Sequence, residues 1–596
     1  MVHRKVYHDS TGDLPKYGGP DAPRPSQTPF DQMNSLEDSY RTMDALDYFE
    51  APYTLQEADM QALSYAIRCK PDWWKKYRDP SIRAKWVSEV REQPARYVGG
   101  TAGPESERIE RPRLTANMVK YVFDELEWHE KQLIEPNGIR ASCFDKVLET
   151  DSLIPPSLRD SLIADVAKLE KNPPLGVPDW HPGSNEQVLD LLHPSLWPLR
   201  YKSTPVRVVD AEGKVTEQVS RAPPPRNALH STSEEFQWLP SDFDVDVAGR
   251  VSISSYINNL HPDEHASLYP IISSLFERFL SLFERVLSDL QKPPPHRILF
   301  DWKTTHEWWH GLYEDEPHNP DEDSGFYDDY DYGLERVKRV LVLPEPKEFK
   351  QPEDETGGLA FPLKGKKLQV ITKIASIHLT PDKPDYEGGS WHVEGMQNEE
   401  IVASGIYYFS QENITESQLA FRGTFDDDLL PYEQCDYRGI RAVFGVEDEG
   451  PCVQDFGALS TAEGRCICFP NIYQHRVSPF SLADKTRPGY RKILVFFLVD
   501  PLKSASGAVI STSRVPYQQR DWVARELARA VKESAEESAV RKVPVEIWDK
   551  VLNEMDWLMD YEKAKKVRKK LMRERKFLVD ENTKAIFERQ FALCEH

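Results

Sequence analysis

Arg491-Lys-Ile-Leu-Val-Phe-Phe-Leu-Val499 is a strongly apolar β-run headed by two cations, and its reading decides the fold. Seven more short β-runs precede it from about residue 341, separated by Gly, Pro and Asp: 368–379, 390–394, 401–409, 418–421, 453–456, 465–469 and 475–477. Eight runs of this kind predict a double-sheet jelly roll, the double-stranded β-helix of cupin-like barrels. Cys466 and Cys468 alternate within one run and read as core strand positions rather than zinc ligands.

The text on either side is different. Residues 1–45 are rich in Pro, Gly, Asp and Ser without periodicity and read as an arm over the body. Residues 46–340 are helical and loop-rich. Thr54 with Glu57 three residues on is a capping-box signal for a helical pattern running to about residue 92. Further helices are expected at 115–132, 141–150, 156–171 and 267–290, the last with a wide apolar stripe. A hairpin is expected across the turn at 210–213, and a strand from Val251. The segment 341–505 holds the jelly roll, and 506–596 turns helical again with about four segments. The class is therefore α+β, a jelly-roll core between two helical regions. The cluster of nine Lys and Arg at 563–576 reads as a solvated helix face, with a partner-docking face as the alternative.

Composition limits the function. Of 596 residues, 75 are Lys or Arg and 98 are Asp or Glu, so the chain carries −23 and a field that repels nucleic acid and anionic membrane. That field favours a neutral or cationic substrate. No stretch approaches the roughly 18 consecutive apolar residues of a membrane span, and the first residues lack the apolar segment of a secretory signal. Seven sparse cysteines without a C-x-x-C pair fit a cytoplasmic or nuclear protein, not a secreted one.

Two places carry chemistry. The first is Gly388-Gly-Ser-Trp-His392-Val-Glu394-Gly-Met; on a strand, His392 and Glu394 would point to one side. The second is Phe469-Pro-Asn-Ile-Tyr-Gln-His475-Arg-Val-Ser-Pro, 81 residues beyond Glu394. A His-x-carboxylate pair with one distant His is the ligand set of the non-haem Fe(II) facial triad. Arg491 opens the last strand, where its planar fork suits the distal carboxylate of 2-oxoglutarate. Arg487 is the alternative anchor, in the polar loop before the Pro-Gly turn, and Lys492 should face the opposite side from Arg491. The same ligands also bind zinc or manganese.

The runs Phe236-Gln-Trp-Leu-Pro, His193-Pro-Ser-Leu-Trp-Pro-Leu, Ser254-Ser-Tyr-Ile-Asn-Asn-Leu-His-Pro and Gly388-Gly-Ser-Trp-His-Val-Glu-Gly-Met resemble, with the 491–501 run, a large, mainly fungal family catalogued as a domain of unknown function. The likeness extends from about residue 50 to 530. The β part separately resembles the 2-oxoglutarate/Fe(II)-dependent dioxygenase superfamily, including the His-Arg-Val-x-Pro form around the distal histidine. That resemblance implies iron, 2-oxoglutarate and O₂, with His392, Glu394 and His475 as metal ligands and Arg491 as cosubstrate anchor. Glu394 departs from the Asp that this superfamily mostly has.

On this reading the chain is an oxygenase acting on a small-molecule or peptide substrate. A cupin-like metalloenzyme without 2-oxoglutarate and a non-catalytic scaffold are the alternatives. Other candidates are weaker. One of Lys373 and Ser376, and one of Tyr407 and Tyr408, could face the cavity and touch cosubstrate or substrate. His261 and His265 read as a capped helix start rather than ligands, and Asp301, His306 and Trp308-Trp309 as an aromatic packing cluster. No nucleophile elbow, P-loop or dinucleotide fingerprint is present.

Overall fold

The computed structural model describes residues 51–98, 109–134, 137–171, 176–209, 215–223, 232–291, 293–298, 345–351, 361–427, 430, 437–502, 509–534 and 538–593. The cluster at 301–309 lies outside them. The fold is mixed α+β with several sheets. Among its helices are α1 (Leu55–Arg68), α2 (Ala116–Ile134), α3 (Pro156–Lys171), α4 (Leu268–Gln291), α5 (Tyr437–Phe444), α6 (Arg520–Glu533), α7 (Val545–Glu554) and α8 (Tyr561–Asn582). Among the described residues no helix is long and apolar enough to cross a membrane.

Helix α1 realises half of the capping box. Thr54 Oγ1 accepts the Glu57 N–H, but the Glu57 carboxylate turns away and accepts the N–H groups of Arg297 and Ile298. The helical pattern to residue 92 is broken after Arg68 and resumes as a four-residue helix at Trp73–Lys76 and a twelve-residue one at Pro80–Arg91. The 141–150 region is not a helix. It forms the strand pair β1 (Arg140–Ala141) and β2 (Leu148–Thr150), because β2 finds backbone partners on the 466–468 segment and β-branched Val147 and Thr150 suit that edge.

The other strands of the two main sheets are β3 (Val188–Leu192), β4 (Ser241–Val245), β5 (Val251–Ile253), β6 (Lys367–Leu379), β7 (Ile401–Glu412), β8 (Gln418–Thr424), β9 (Val453–Ser460), β10 (Cys466–Pro470), β11 (Gln474–Val477) and β12 (Gly489–Val499). The large sheet runs β5-β4-β6-β12-β7-β10-β2-β1, all antiparallel, and β3 pairs the second half of β6 beyond β4. A smaller antiparallel sheet runs β9-β8-β11. The expected hairpin forms between Pro205–Val209 and Val215–Arg221. The large sheet is continuous across residue 341, since β1 to β5 come from the N-terminal region.

Period-two alternation sorts the large sheet into two faces. Val370, Ile374, Leu494, Phe496, Leu498, Tyr407 and Phe409 face outward, in one apolar cluster with Ile272, Phe276, Phe279 and Phe283 of α4. Gly405 lets α4 seat: a Cβ there would lie 2.8 Å from Phe279 Cδ1 and 2.9 Å from Phe283 Cζ. Ile371, Ile406, Tyr408, Val495 and Phe497 face inward and share a second cluster with Leu419 and Phe421 of the small sheet. The two sheets thus enclose one apolar interior. Cys466 and Cys468 are buried core positions, as expected.

Candidate metal centre

The three residues of the His-x-Glu/His pattern come together, though not by the expected route. Residues 390–394 form no strand. Instead, an extended segment makes one antiparallel bridge, His392↔His475, with His392 N donating to His475 O at 3.2 Å and His475 N to His392 O at 3.0 Å. Its approach needs glycine. Gly388 has φ +93°, its Cβ would lie 2.7 Å from Val477 O, and Gly389 N donates to that same carbonyl. Bridged residues present side chains to one side, so the two imidazoles stand 4.4 Å apart.

Glu394 is fixed by Asn471, whose side chain accepts the Glu394 N–H at 2.9 Å and donates to the Glu394 and Ile401 carbonyls. Its Oε1 then lies 3.6 Å from His392 Nε2 and 3.4 Å from His475 Nε2. The donor atoms of all three residues fall within 4.8 Å of one another. His475 is buried against Phe421 and Phe469, whereas His392 is 37% exposed at the mouth. Burial alone would raise the Glu394 carboxyl, but the two imidazoles hold it well below the usual range. Burial opposes charge on His392 too, yet the Glu394 contacts and the Ser390 carbonyl raise its pKa; burial and its sister ring lower that of His475.

The donor chemistry fits a divalent cation. A carbonyl only accepts, so the 2.8 Å contact between His392 Nδ1 and Ser390 O puts the proton on Nδ1 and leaves a lone pair on Nε2, beside Glu394. A second cluster, His181, Asp190 and His193, has similar spacing but opposite chemistry. His193 Nδ1 accepts the Ser195 N–H at 3.2 Å, so its proton sits on Nε2, and His181 Nδ1 is bound to Asp190 at 2.9 Å. With Arg568 also 3.6 Å from Asp190, the carboxylate is already engaged, and His193 has no spare lone pair.

The other sequence candidates divide cleanly. Arg491 lies on the inner face of β12 and is buried. Its guanidinium donates to Ser417 Oγ and to Thr461 Oγ1, and sits over the rings of Tyr408 and Phe480 at 5.4 and 5.1 Å. Among the described residues it has no carboxylate within 4 Å, and its Nε has no partner. Arg487 is not brought in: it is exposed, pairs with Asp484 at 3.1 Å, and belongs to the surface turn that sequence placed it in. Lys492 points outward to Glu170. Lys373 and Tyr408 are the inward members of their pairs, whereas Ser376 and Tyr407 face out. His261 Nδ1 accepts the N–H groups of Asp263 and Glu264, a turn-capping role. In the basic cluster, Arg568 pairs with Asp179, and Arg575 pairs with Glu399 while lying 3.7 Å over Trp238; neither is solvated.

Sequence reading missed Asn471, Ser417, Thr461 and the His181–Asp190–His193 cluster. Asp190 was the findable one, an acid inside the apolar run Val188-Leu-Asp-Leu-Leu192. A cavity of about 1180 Å³ between α1 and the β8–β9 side involves none of the three candidate ligands.

A family model described as "Protein of unknown function (DUF4246)" matches residues 116–526. The chain belongs to this family. A companion model, the N-terminal domain of unknown function DUF4246, matches residues 15–89. No curated protein matches the sequence. Among solved structures, the chain is similar to the Fe(II)/(alpha)ketoglutarate-dependent dioxygenase TqaL at 10% identity and TM-score 0.24, covering 65% of this chain and 90% of that one. IDO from Bacillus thuringiensis matches at 10% identity and TM-score 0.15, over 23% of this chain and 46% of that one. EvdO2 from Micromonospora carbonacea var. aurantiaca matches at 11% and 0.12, over 22% and 52%. The chain thus spans about half the length of the last two.

Proposed function

We propose that this chain is a non-haem Fe(II)/2-oxoglutarate-dependent oxygenase with a jelly-roll core, oxidising a C–H bond of a small-molecule or peptide substrate. The observation that carries the reading is the convergence of His392, Glu394 and His475 with the Nε2 atoms of both imidazoles turned to Glu394 Oε1. The two facing antiparallel sheets around one interior support the jelly roll, and the unpaired buried cation of Arg491 supports the cosubstrate. Iron bound there would supply O₂ activation coupled to decarboxylation of 2-oxoglutarate to succinate and CO₂.

The chain's own share is positioning. Ser390 O fixes the His392 tautomer, and Asn471 pins the Glu394 backbone, so both ligands are oriented in advance. Arg491 is the anchor for the distal carboxylate, with Ser417 and Thr461 holding the guanidinium in place. Phe421, Phe469 and Tyr408 keep water from the interior side.

Anaerobic addition of Fe(II) and 2-oxoglutarate tests this. A visible charge-transfer band, with succinate formed on admitting oxygen, is the expected result. Metal binding without the band would favour a cupin-like metalloenzyme. Failure to bind any divalent metal would refute the reading and leave a non-catalytic scaffold.

A further inference from the structure

The segment that carries His392 and Glu394 belongs to no strand. Its backbone joins the small sheet through Gly389 N and the single bridge between His392 and His475. Asn471 pins Glu394, but the hydrogen bond of the His392 ring, to Ser390 O, stays within the segment. A ligand held this way needs a further tether to the sheet. The register says where to look for it. Continuing the antiparallel bridge by one residue sets Trp391 opposite Arg476, and β11 pairs with β8 so that His475 faces Phe421 and Gln474 faces Arg422. Alternation then puts Phe421, His475 and His392 in one row on the inner face, and Arg422, Arg476 and Trp391 together on the outer one.

The outer row is in contact. The guanidinium carbon of Arg476 lies 4.5 Å from the centroid of the Trp391 ring, and that of Arg422 lies 5.0 Å from it. Arg422 is the fixed member. Its Nε donates to Gln474 Oε1 at 2.7 Å and its Nη2 to Glu588 Oε1 at 3.2 Å, while Gln474 donates to Thr583 Oγ1 at 3.0 Å. Arg476 is exposed, and among the described residues it has neither a hydrogen bond nor an ion pair, so its charge meets only the half-buried indole. Two cations therefore lie on one aromatic ring, on the reverse side of the two histidines.

We propose that Trp391 is a positioning residue for the metal centre: Arg422 and Arg476 hold its ring on the outer face, and this keeps the His392 imidazole beside His475 and Glu394 on the inner face. The proposal rests on the metal centre of the oxygenase reading. It ties metal affinity to side chains that touch neither metal nor substrate and, through Thr583 and Glu588, to the segment that follows α8.

Hydrogen–deuterium exchange of the full-length protein reads the tether directly, because the amides of His392 and His475 close the bridge. Fe(II) affinity under argon reads its consequence. An exposed cation–π contact is worth about two- to five-fold. Arg476→Met should therefore speed exchange over 388–394 and weaken Fe(II) binding by about that factor, and Trp391→Ala, which loses both contacts, by roughly five- to thirty-fold. Trp391→Phe and Arg476→Lys should restore most of the loss, and Arg476→Met should add nothing once Trp391 is alanine. Peptides from β6 and β12 should exchange as in the wild type throughout. Unchanged metal-free exchange over 388–394 in both Arg476→Met and Trp391→Ala would overturn the proposal. So would a rise spread evenly over β6 and β12, or a Trp391→Ala chain that fails to fold while Arg476→Met leaves the segment as it was, since the indole would then serve the fold alone. If the wild type bound no divalent metal but the variants still loosened 388–394, the oxygenase reading would fail and the positioning of His392 would stand.

Discussion

Replacing Arg491 by methionine separates a residue kept for a ligand from one kept for the fold. Arg491 is 2% exposed, and among the described residues its guanidinium has two hydroxyl partners and no carboxylate. Burying an ion still costs several kcal/mol after relaxation. Two hydrogen bonds from the charged guanidinium at about 1.5–3 kcal/mol each, with two ring contacts of roughly 0.5–1 kcal/mol each, come close to balancing that cost. Methionine keeps much of the volume without the charge, so the ligand-free variant should be as stable as the wild type or more stable by up to roughly 2 kcal/mol. The cosubstrate loses two charge-assisted bonds worth about 1.5–3 kcal/mol each, which is roughly 10² to 10⁴-fold in affinity. Urea unfolding reads the first quantity and anaerobic calorimetry with Fe(II) and 2-oxoglutarate the second. A variant destabilised by about 3 kcal/mol or more that still bound 2-oxoglutarate normally would show that Arg491 serves packing, and the anchor assignment would fall.

Asn471→Ala should lower Fe(II) affinity by about 10- to 100-fold through Glu394 alone, with both imidazoles intact; iron retention after anaerobic dialysis checks this, and full retention would contradict the role given to Asn471. Gly405→Ala should destabilise the protein by roughly 1–3 kcal/mol, because the new Cβ would meet Phe279 and Phe283 at under 3 Å; an unchanged urea midpoint would mean that α4 can back away from the sheet. Burial pushes the Glu57 carboxyl up to about 8, with Asp145 adding to the rise, against the pull of Arg297 and two backbone N–H groups. A folded pKa above the unfolded value of 4.5 means that the native state keeps a proton the unfolded chain has released. Stability from this group is complete below about pH 4.5 and declines as pH rises towards 8, by up to roughly 5 kcal/mol. Glu57→Gln should therefore lose less stability than the wild type between pH 5 and 8, and parallel profiles from urea titrations at both ends would contradict the shift.

The strands of the 341–505 region were legible because alternation and Gly/Pro punctuation are local signals. Predicted runs such as 368–379 and 491–499 fall within a few residues of β6 and β12. The 141–150 segment was misread because its strand state depends on a partner more than 300 residues away at Cys466–Cys468, which no window contains. The ligand trio was legible as residue types at a spacing, but the mechanism that joins them was not: one bridge between His392 and His475 replaces the expected strand. Arg491 was separable from Arg487 by the Pro-Gly turn between them, and from Lys492 by strand parity. Arg568 and Arg575 looked solvated because a run of cations on a helix says nothing of the acids that fold back onto it. Tautomers were wholly beyond the sequence, since the choice at His193 is made by a backbone N–H two residues away.

The large sheet has a temporal consequence. Strands β1 to β5 are synthesised before residue 254, yet β2 waits for β10 and β4 waits for β6, more than a hundred residues downstream. Until those arrive, early strands leave the ribosome with bare edges and apolar faces, and such edges invite pairing with other chains. Soluble yield should therefore depend on synthesis rate and chaperone supply more than on the stability of the finished molecule. A fragment that starts at residue 341 would carry the same open edges permanently.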